Sequence, residues 1–173
     1  MPYQDGLGRA INYLRVSVTD RCNLRCVYCM PEEGIEKRRH DEMLSYEEFE
    51  VVVRAAVGLG ISKVRLTGGE PLARLGLPDF VARIAGIPGV DDLSMTTNGT
   101  LLARHAAALA AAGLHRVNIS LDTLRADRFA RITRRGRLED VMEGMAAAQR
   151  AGLEPIKLNV VVIGGINDDE LGD

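Results

Sequence analysis

Residues 20–30, with the sequence DRCNLRCVYCM, contain all three cysteines of the chain. Three residues separate Cys22 from Cys26 and two separate Cys26 from Cys29, so the three thiols are close enough in sequence to bind one metal centre. Thiolates favour iron-sulfur clusters, zinc or Cu(I), and closed zinc sites and ordinary four-iron clusters take four protein ligands. Three thiolates on a four-iron cluster would therefore leave one iron open to a small molecule.

The spacing of the cysteines, with the aromatic Tyr28 directly before the last of them, resembles the cluster loop of the radical S-adenosylmethionine (SAM) enzymes. The resemblance implies a [4Fe-4S] cluster held by Cys22, Cys26 and Cys29, with the amino and carboxylate groups of SAM on the open iron. Electron transfer from such a cluster cleaves SAM to a 5'-deoxyadenosyl radical. In such enzymes the cofactors supply the difficult chemistry and the protein positions them.

Two other interpretations of the cysteines remain open. His40 is the nearest candidate for the fourth ligand of a zinc site, although a solvated loop explains the charged residues 36–42 around it more simply. In the third interpretation the cysteines are free thiols with a reactive or structural role.

The length and composition predict a single domain and give no sign of a nucleic-acid or membrane partner. A chain of 173 residues is long enough to bury about 70% of the surface that its unfolded form exposes. The net charge of -2 gives no general affinity for nucleic acid or for an anionic membrane. No apolar run approaches the roughly 20 residues of a membrane span, and residues 1–9 lack the pattern of a signal peptide. We therefore expect a cytoplasmic protein with neither nucleic acid nor membrane as partner, and the odd number of cysteines suits a reducing compartment.

Strands and helices alternate along the predicted secondary structure. The predicted strands are residues 13–19, 63–67, 92–97, 116–121 and 156–162. The predicted helices cover about residues 46–59, 79–85, 101–112, 127–132 and 138–151. Ser45 and Glu48 form a predicted capping box at the start of the first helix. This alternation predicts a parallel sheet with helical crossovers.

One face of the predicted sheet is polar. When the four later strands are aligned on the glycine before each, positions four and six are apolar and positions five and seven are polar. We expect the apolar side, with Leu66, Met95, Ile119 and Leu158, to pack beneath the helices. The polar positions are Arg65, Thr67, Ser94, Thr96, Asn118, Ser120, Lys157 and Asn159, to which the first strand adds Arg15 and Ser17. A parallel sheet covered on both faces is normally apolar on both, so we expect a polar ligand at this face.

The pattern predicts an α/β fold, a partial parallel (β/α) barrel of about five strands with a polar lumen. The alternative is an open sheet with one face exposed to solvent. Cations without carboxylates in the lumen predict an anionic ligand such as a nucleotide phosphate. Asp122, just beyond the fourth strand, lies near the carboxyl ends of the strands, where barrel sites are built.

Further segments resemble the radical SAM enzymes. Residues 63–71, KVRLTGGEP, look like the glycine-rich segment of that superfamily, where the backbone approaches the amino group of SAM. Glycine permits this approach because it has no Cβ atom. Residues 96–99 and 120–122 resemble two more segments, at the ends of the third and fourth strands. The resemblance implies contacts to SAM from Tyr28, Gly68, Gly69, Glu70, Asn98 and Ser120.

Within the superfamily, nearly the whole chain resembles the GTP 3',8-cyclase family, whose members act first in molybdenum cofactor biosynthesis. The resemblance is carried by residues 7–9, 14–29, 65–71, 96–99, 118–122, 157–161 and 165–168. It implies a lyase that abstracts the 3' hydrogen of GTP and joins that carbon to C8 of guanine, with a reductant such as flavodoxin or ferredoxin. It also implies contacts to GTP from Arg15, Arg65, Thr96 and Lys157.

The chain departs from that family in its length. Family members are much longer and bind a second iron-sulfur cluster through C-terminal cysteines, whereas no cysteine follows Cys29. We therefore expect residues 1–173 to be a truncated radical SAM core, from an incomplete gene record, a split gene or a deliberately shortened chain. The exposed edge of its last strand would favour a homodimer or pairing with the missing half.

The expected activity of such a half is slow SAM cleavage without a cyclised product. The alternative functions are a radical SAM enzyme with another substrate, and a non-catalytic scaffold with a zinc site.

Overall fold

The computed structural model describes residues 3–36, 39 and 42–172, and within them five parallel strands form one open sheet in the order β1-β2-β3-β4-β5. The strands are β1 Tyr13–Ser17, β2 Lys63–Thr67, β3 Asp92–Thr97, β4 Arg116–Ser120 and β5 Lys157–Asn159. The helices are α1 Tyr46–Gly58, α2 Leu77–Ala85, α3 Leu102–Ala111, α4 Ala126–Thr133 and α5 Leu138–Arg150. The predicted α/β fold, with an incomplete parallel sheet, is confirmed.

Local sequence signals explain where the helices begin. Glu48 N–H donates to Ser45 Oγ at 3.2 Å, and Ser45 N–H donates to Glu48 Oε2 at 2.7 Å. This reciprocal pair satisfies backbone groups that the first turn of α1 leaves unpaired, so the predicted capping box is confirmed. Pro78 lies in the first turn of α2, where its missing N–H costs no helical hydrogen bond.

Strand pairing places the predicted polar residues on one face of the sheet. Arg15 is aligned with Arg65 and Arg65 with Ser94, while Asn118 lies between Thr96 and Lys157. Since side chains alternate along each strand, residues aligned in this way project from the same face. The predicted polar face is therefore confirmed.

The opposite face of the sheet carries the core. Leu66, Met95 and Ile119 are fully buried there. They belong to one apolar cluster with side chains from the helices, among them Val53 of α1 and Phe80 of α2. The helices thus cover the apolar face and leave the polar face to the candidate site.

The last strand differs from the prediction. β5 contains only residues 157–159 of the predicted 156–162, and Leu158 is 47% exposed although we expected it to pack beneath a helix. Because β5 is an edge strand and pairs with β4 alone, Leu158 has a strand neighbour on one side only. The expectation for Leu158 is wrong, whereas the exposed apolar edge expected at this strand is present.

No helix in the described ranges is long and apolar enough to cross a bilayer.

Candidate active site

The three cysteines lie in the loop that follows β1, called here the cysteine loop (residues 20–30). One side of this loop rests on the C-terminal end of α4, since Arg25 N–H donates to Thr133 O at 3.0 Å and Val27 N–H donates to Ile132 O at 2.9 Å. The Arg134 side chain adds two bonds of 3.1 Å, to the carbonyls of Arg25 and Met30. These hydrogen bonds therefore hold residues 25–30 of the loop against α4 and the residue that follows it.

Residues 26–30 form a tight turn that brings two of the cysteines together. Cys29 N–H donates to Cys26 O at 2.9 Å, and Met30 N–H donates to the same oxygen at 3.2 Å. All three cysteines are free thiols, with Cys22 and Cys26 half-buried and Cys29 exposed. Burial raises the pKa of Cys22, and burial with the nearby charges of Cys22 and Asp122 raises that of Cys26 to about 11. Without a metal centre these two thiols are therefore protonated at neutral pH.

The chemistry of the donor set fits an iron-sulfur cluster. Thiolates are the usual protein ligands of such clusters, which distribute them over different iron atoms. No group of three or more His, Cys, Asp or Glu side chains within the described residues could hold a single metal ion. His40, the candidate fourth ligand of the zinc interpretation, lies outside the described residues.

Gly68 and Gly69, which follow β2, lie against the start of the cysteine loop. Gly69 N–H donates to Thr19 O at 2.7 Å, and a Cβ atom added to Gly69 would lie 2.4 Å from Arg21 O. A Cβ atom on Gly68 would lie 2.5 Å from Thr19 O. Both glycines are therefore required by the loop itself, a reason that the sequence did not reveal. Their contacts to SAM stay a prediction.

Glu70 is fully buried at the same strand end. Its carboxylate accepts from Thr97 Oγ1 at 2.7 Å, from Asn98 N–H at 2.7 Å and from Leu72 N–H at 3.1 Å. Burial raises the pKa of Glu70 even though these three donors oppose the shift. The carboxylate thus joins the ends of β2 and β3, which leaves the predicted contact of Glu70 with SAM to its backbone.

Asn98, after β3, connects that strand to the cysteine loop. Its Nδ2 donates to Asn23 Oδ1 at 2.9 Å and lies 3.9 Å from Cys22 Sγ. Its Oδ1 accepts from the hydroxyl of Thr100 at 2.7 Å, and Asn23 Nδ2 donates to the same hydroxyl at 2.8 Å. Asn98 was predicted from the sequence, whereas Asn23 and Thr100 were not, because their only signal was their polarity beside a predicted strand end or cysteine.

The loop after β4 is the third strand end that contacts the cysteine loop. Tyr28 Oη donates to Asp122 Oδ2 at 2.6 Å, and Val161 N–H donates to Asp122 Oδ1 at 2.8 Å. Burial raises the pKa of Tyr28 and the Asp122 carboxylate raises it further, so Tyr28 remains a hydrogen-bond donor at neutral pH. Ser120, the predicted SAM contact at the end of β4, lies on the polar face beside Asn159.

The predicted substrate residues also lie on the polar face. Arg15 and Lys157 are exposed, whereas Arg65 is partly covered and donates from Nε to Ser94 Oγ at 3.3 Å. Asn118, between Thr96 and Lys157 in register, is only 4% exposed, and its Oδ1 has no hydrogen-bond partner among the described residues. An unpaired buried acceptor at the centre of this face fits a polar ligand with a donor group.

The larger described cavity lies elsewhere. It has a volume of about 470 Å³ and is lined by residues such as Thr19, Arg21, Tyr46 and Arg74. None of the predicted SAM or GTP residues lines this cavity.

The chain is similar to curated proteins over almost its whole length. The GTP 3',8-cyclase of Pelotomaculum thermopropionicum is 61% identical over 168 residues, which cover 97% of this chain and 52% of the relative. The GTP 3',8-cyclase of Heliobacterium modesticaldum is 59% identical over 169 residues, which cover 98% of this chain and 52% of the relative. The chain thus spans about half the length of the curated relatives it matches.

Solved structures share the fold at low sequence identity. The crystal structure of Streptococcus suis SuiB superposes with a TM-score of 0.72 at 18% identity, over 88% of this chain and 33% of that chain. HydG, a maturase of the [FeFe]-hydrogenase, gives a TM-score of 0.69 at 15% identity, over 86% of this chain and 34% of that chain. A sequence profile described as the radical SAM superfamily matches residues 16–173. With this match, the cysteine loop and the shared fold, the chain belongs to the radical SAM superfamily.

Proposed function

We propose that this chain binds a [4Fe-4S] cluster through Cys22, Cys26 and Cys29, binds SAM beside it, and supplies the radical SAM core of a GTP 3',8-cyclase. The observation that carries this proposal is the convergence of the cysteine loop with the ends of three strands. Glu70 N–H donates to Arg21 O at 2.8 Å after β2, Asn98 reaches Asn23 after β3, and Asp122 accepts from Tyr28 after β4.

When bound, the cluster and SAM would supply one-electron reduction and a radical that abstracts hydrogen. The residues of the chain hold and orient these groups. Asn98 fixes the part of the loop that carries Cys22, and the α4 contacts fix the turn that carries Cys26 and Cys29. Gly68, Gly69 and Ser120, with the backbone of Glu70, are the proposed contacts for SAM at the strand ends.

The substrate side of the proposal depends on charge. Arg15, Arg65 and Lys157 present cations on the polar face, and guanidinium groups bind phosphate oxygens through directed hydrogen bonds. The names of the curated relatives specify GTP. We assign the phosphate and ribose of GTP to this face, with Thr96 as a further contact. Hydrogen abstraction requires close positioning, because a displacement of about 1 Å can lower the rate on the order of 100-fold.

Two partners belong to the proposed function. Reductive cleavage of SAM needs an external electron, for which a flavodoxin or a ferredoxin is the proposed donor. The exposed apolar residues at and after β5, including Leu158, Val160 and Val162, form an edge suited to pairing with another strand. A second copy, or the other half of such an enzyme, is the proposed partner of this edge.

The decisive experiment is anaerobic reconstitution with iron and sulfide, followed by a visible spectrum and metal analysis. The chain should take up the iron of one [4Fe-4S] cluster, and dithionite with SAM should then give 5'-deoxyadenosine, measured by chromatography. Tight binding of zinc with no iron-sulfur spectrum would contradict the proposal. A loaded chain that leaves SAM intact would contradict its catalytic part.

The substrate is tested separately by GTP binding in calorimetry. Replacing Arg15 by Ala removes one exposed cation of the polar face and should weaken GTP binding about tenfold, the scale of one charge-assisted hydrogen bond. Arg104→Ala, on the exposed side of α3, is the matched control and should leave GTP binding unchanged. Equal GTP affinity in the parent and in Arg15→Ala would contradict the assignment.

A further inference from the structure

The turn of residues 26–30 is held on two sides, through backbone groups on one side and through a side chain on the other. On the α4 side, Val27 N–H donates to Ile132 O, and Arg134 donates to the carbonyls of Arg25 and Met30. On the side of the strand ends, the Tyr28 side chain reaches Asp122 at 2.6 Å. The bond to Asp122 therefore decides how the turn lies relative to β4 and β5.

Asp122 is itself firmly placed. It is 9% exposed, and its second carboxylate oxygen accepts from Val161 N–H at 2.8 Å. Its backbone carbonyl accepts from Asn167 Nδ2 at 2.6 Å, and Asn167 Oδ1 accepts from Ile163 N–H at 2.6 Å. These bonds fix Asp122 to the segment that follows β5, which we call the strap (residues 160–170).

The strap is hydrogen-bonded to α4 and to the loop after β4. Glu170, at the end of the strap, accepts from Thr123 Oγ1 at 2.7 Å and from Leu124 N–H at 2.9 Å. Arg128 of α4 donates to Glu170 at 2.6 Å. Asp122 is bonded to the strap, and the strap is bonded to α4 and to the loop after β4. The Asp122 carboxylate therefore stays in place if the turn of residues 26–30 moves, and it acts as a fixed point for that turn.

We propose that Asp122 is a positioning residue that holds Tyr28, and through it the turn carrying Cys26 and Cys29, in register with the ends of β4 and β5. The consequence for SAM binding rests on the proposed function. The effect on the turn does not, because both hydrogen-bonded groups belong to the chain itself.

The first test is hydrogen exchange on the chain without cluster, read by mass spectrometry over residues 26–30. Asp122→Asn keeps the shape of the side chain and removes its charge, and Tyr28→Phe removes only the donor. Each variant should exchange the amides of this turn roughly tenfold faster, the scale of one charge-assisted hydrogen bond. Asp91→Asn, the same change at the opposite end of the sheet, is the control and should have no effect.

Unchanged exchange over residues 26–30 in both variants would overturn the proposal. So would faster exchange in Asp122→Asn with none in Tyr28→Phe, because Asp122 would then act by another route. If Asp122→Asn also accelerates exchange in β3, the variant has loosened the whole fold. In that case Tyr28→Phe, which leaves the Asp122 bond to Val161 in place, is decisive. Faster exchange over residues 26–30 alone in Tyr28→Phe supports the proposal, and unchanged exchange there overturns it.

The second test measures SAM affinity of the reconstituted chain by the change in the electron paramagnetic resonance spectrum of the reduced cluster. Asp122→Asn and Tyr28→Phe should each load a full cluster and bind SAM about tenfold more weakly. The double variant should bind SAM no more weakly than the weaker-binding single variant, since both changes act on the same bond between Tyr28 and Asp122.

Additive losses of SAM affinity in the double variant would contradict positioning through Tyr28. A parent chain that takes up no cluster would contradict the proposed function, and the exchange experiment would still decide the role of Asp122. The failures of the two proposals are therefore distinguishable.

Discussion

Replacing Gly69 by Ala tests whether the glycine-rich segment is shaped by the cysteine loop. The added Cβ atom would lie 2.4 Å from Arg21 O, and ordinary contact begins at 3.4 Å, so the two segments must separate by about 1 Å. The obstacle is backbone, which cannot rotate away as a side chain would. The separation acts directly on the bonds Gly69 N–H to Thr19 O and Glu70 N–H to Arg21 O, which are 2.7 and 2.8 Å long.

The expected cost follows from these contacts. Two backbone hydrogen bonds contribute about 1 kcal/mol each, and overpacking of a well-packed site costs about 1–3 kcal/mol. We expect a loss of about 3–5 kcal/mol in the free energy of unfolding. For a chain of this length that loss lowers the melting temperature by roughly 6–20 °C, measured by circular dichroism.

Gly58→Ala is the matched control for this experiment. Gly58 is the last residue of α1, and a Cβ atom there would meet nothing within 4 Å. Alanine is the better helix former, so the control should stabilise the chain by about 0.5 kcal/mol. If Gly69→Ala melts within about 2 °C of the parent, the close approach of the two segments does not exist in solution.

Two further predictions concern the cluster and the strap. Cys26→Ala should abolish the stable cluster after reconstitution, and a full iron complement in that variant would refute the three-thiolate site. The hydrogen bond from Arg128 lowers the pKa of Asp169, so their pairing stabilises the folded chain above about pH 4 and is lost as the pH falls through the lowered pKa. Arg128→Ala should therefore reduce stability to urea at pH 7 and progressively less below pH 4, and an equal loss at every pH would contradict this assignment.

Periodicity and caps predicted most of the fold. The boundaries of β2 and β3 agree with the prediction, and α1 begins at Tyr46, where the capping box placed it. Such signals are local, because side-chain alternation and helix caps involve residues a few positions apart. The end of the sheet was predicted less well, because β5 is an edge strand and pairs with β4 alone, and alternation along the sequence does not show how far that pairing extends.

Glu70 was predicted from the sequence to contact SAM together with its neighbours Gly68 and Gly69. The tertiary structure gives Glu70 a buried carboxylate whose partners come from the end of β3. No local pattern separates a carboxylate that faces a ligand from one that joins two strand ends. The role of Glu70 depends on which strand lies beside the end of β2, and strand pairing sets this only in the folded chain.

The sequence by itself determined the donor set of the cysteine loop, the alternation of strands and helices, and the polar face with Arg15, Arg65 and Lys157. These properties depend on side-chain chemistry and on periods of two and 3.6 residues, which can be read along the chain. Only the tertiary structure decided that Asp122 meets Tyr28, a residue 94 positions earlier. Residues so distant in sequence come into contact because parallel strands bring their carboxyl ends to one edge of the sheet, and that arrangement exists only once the strands have paired.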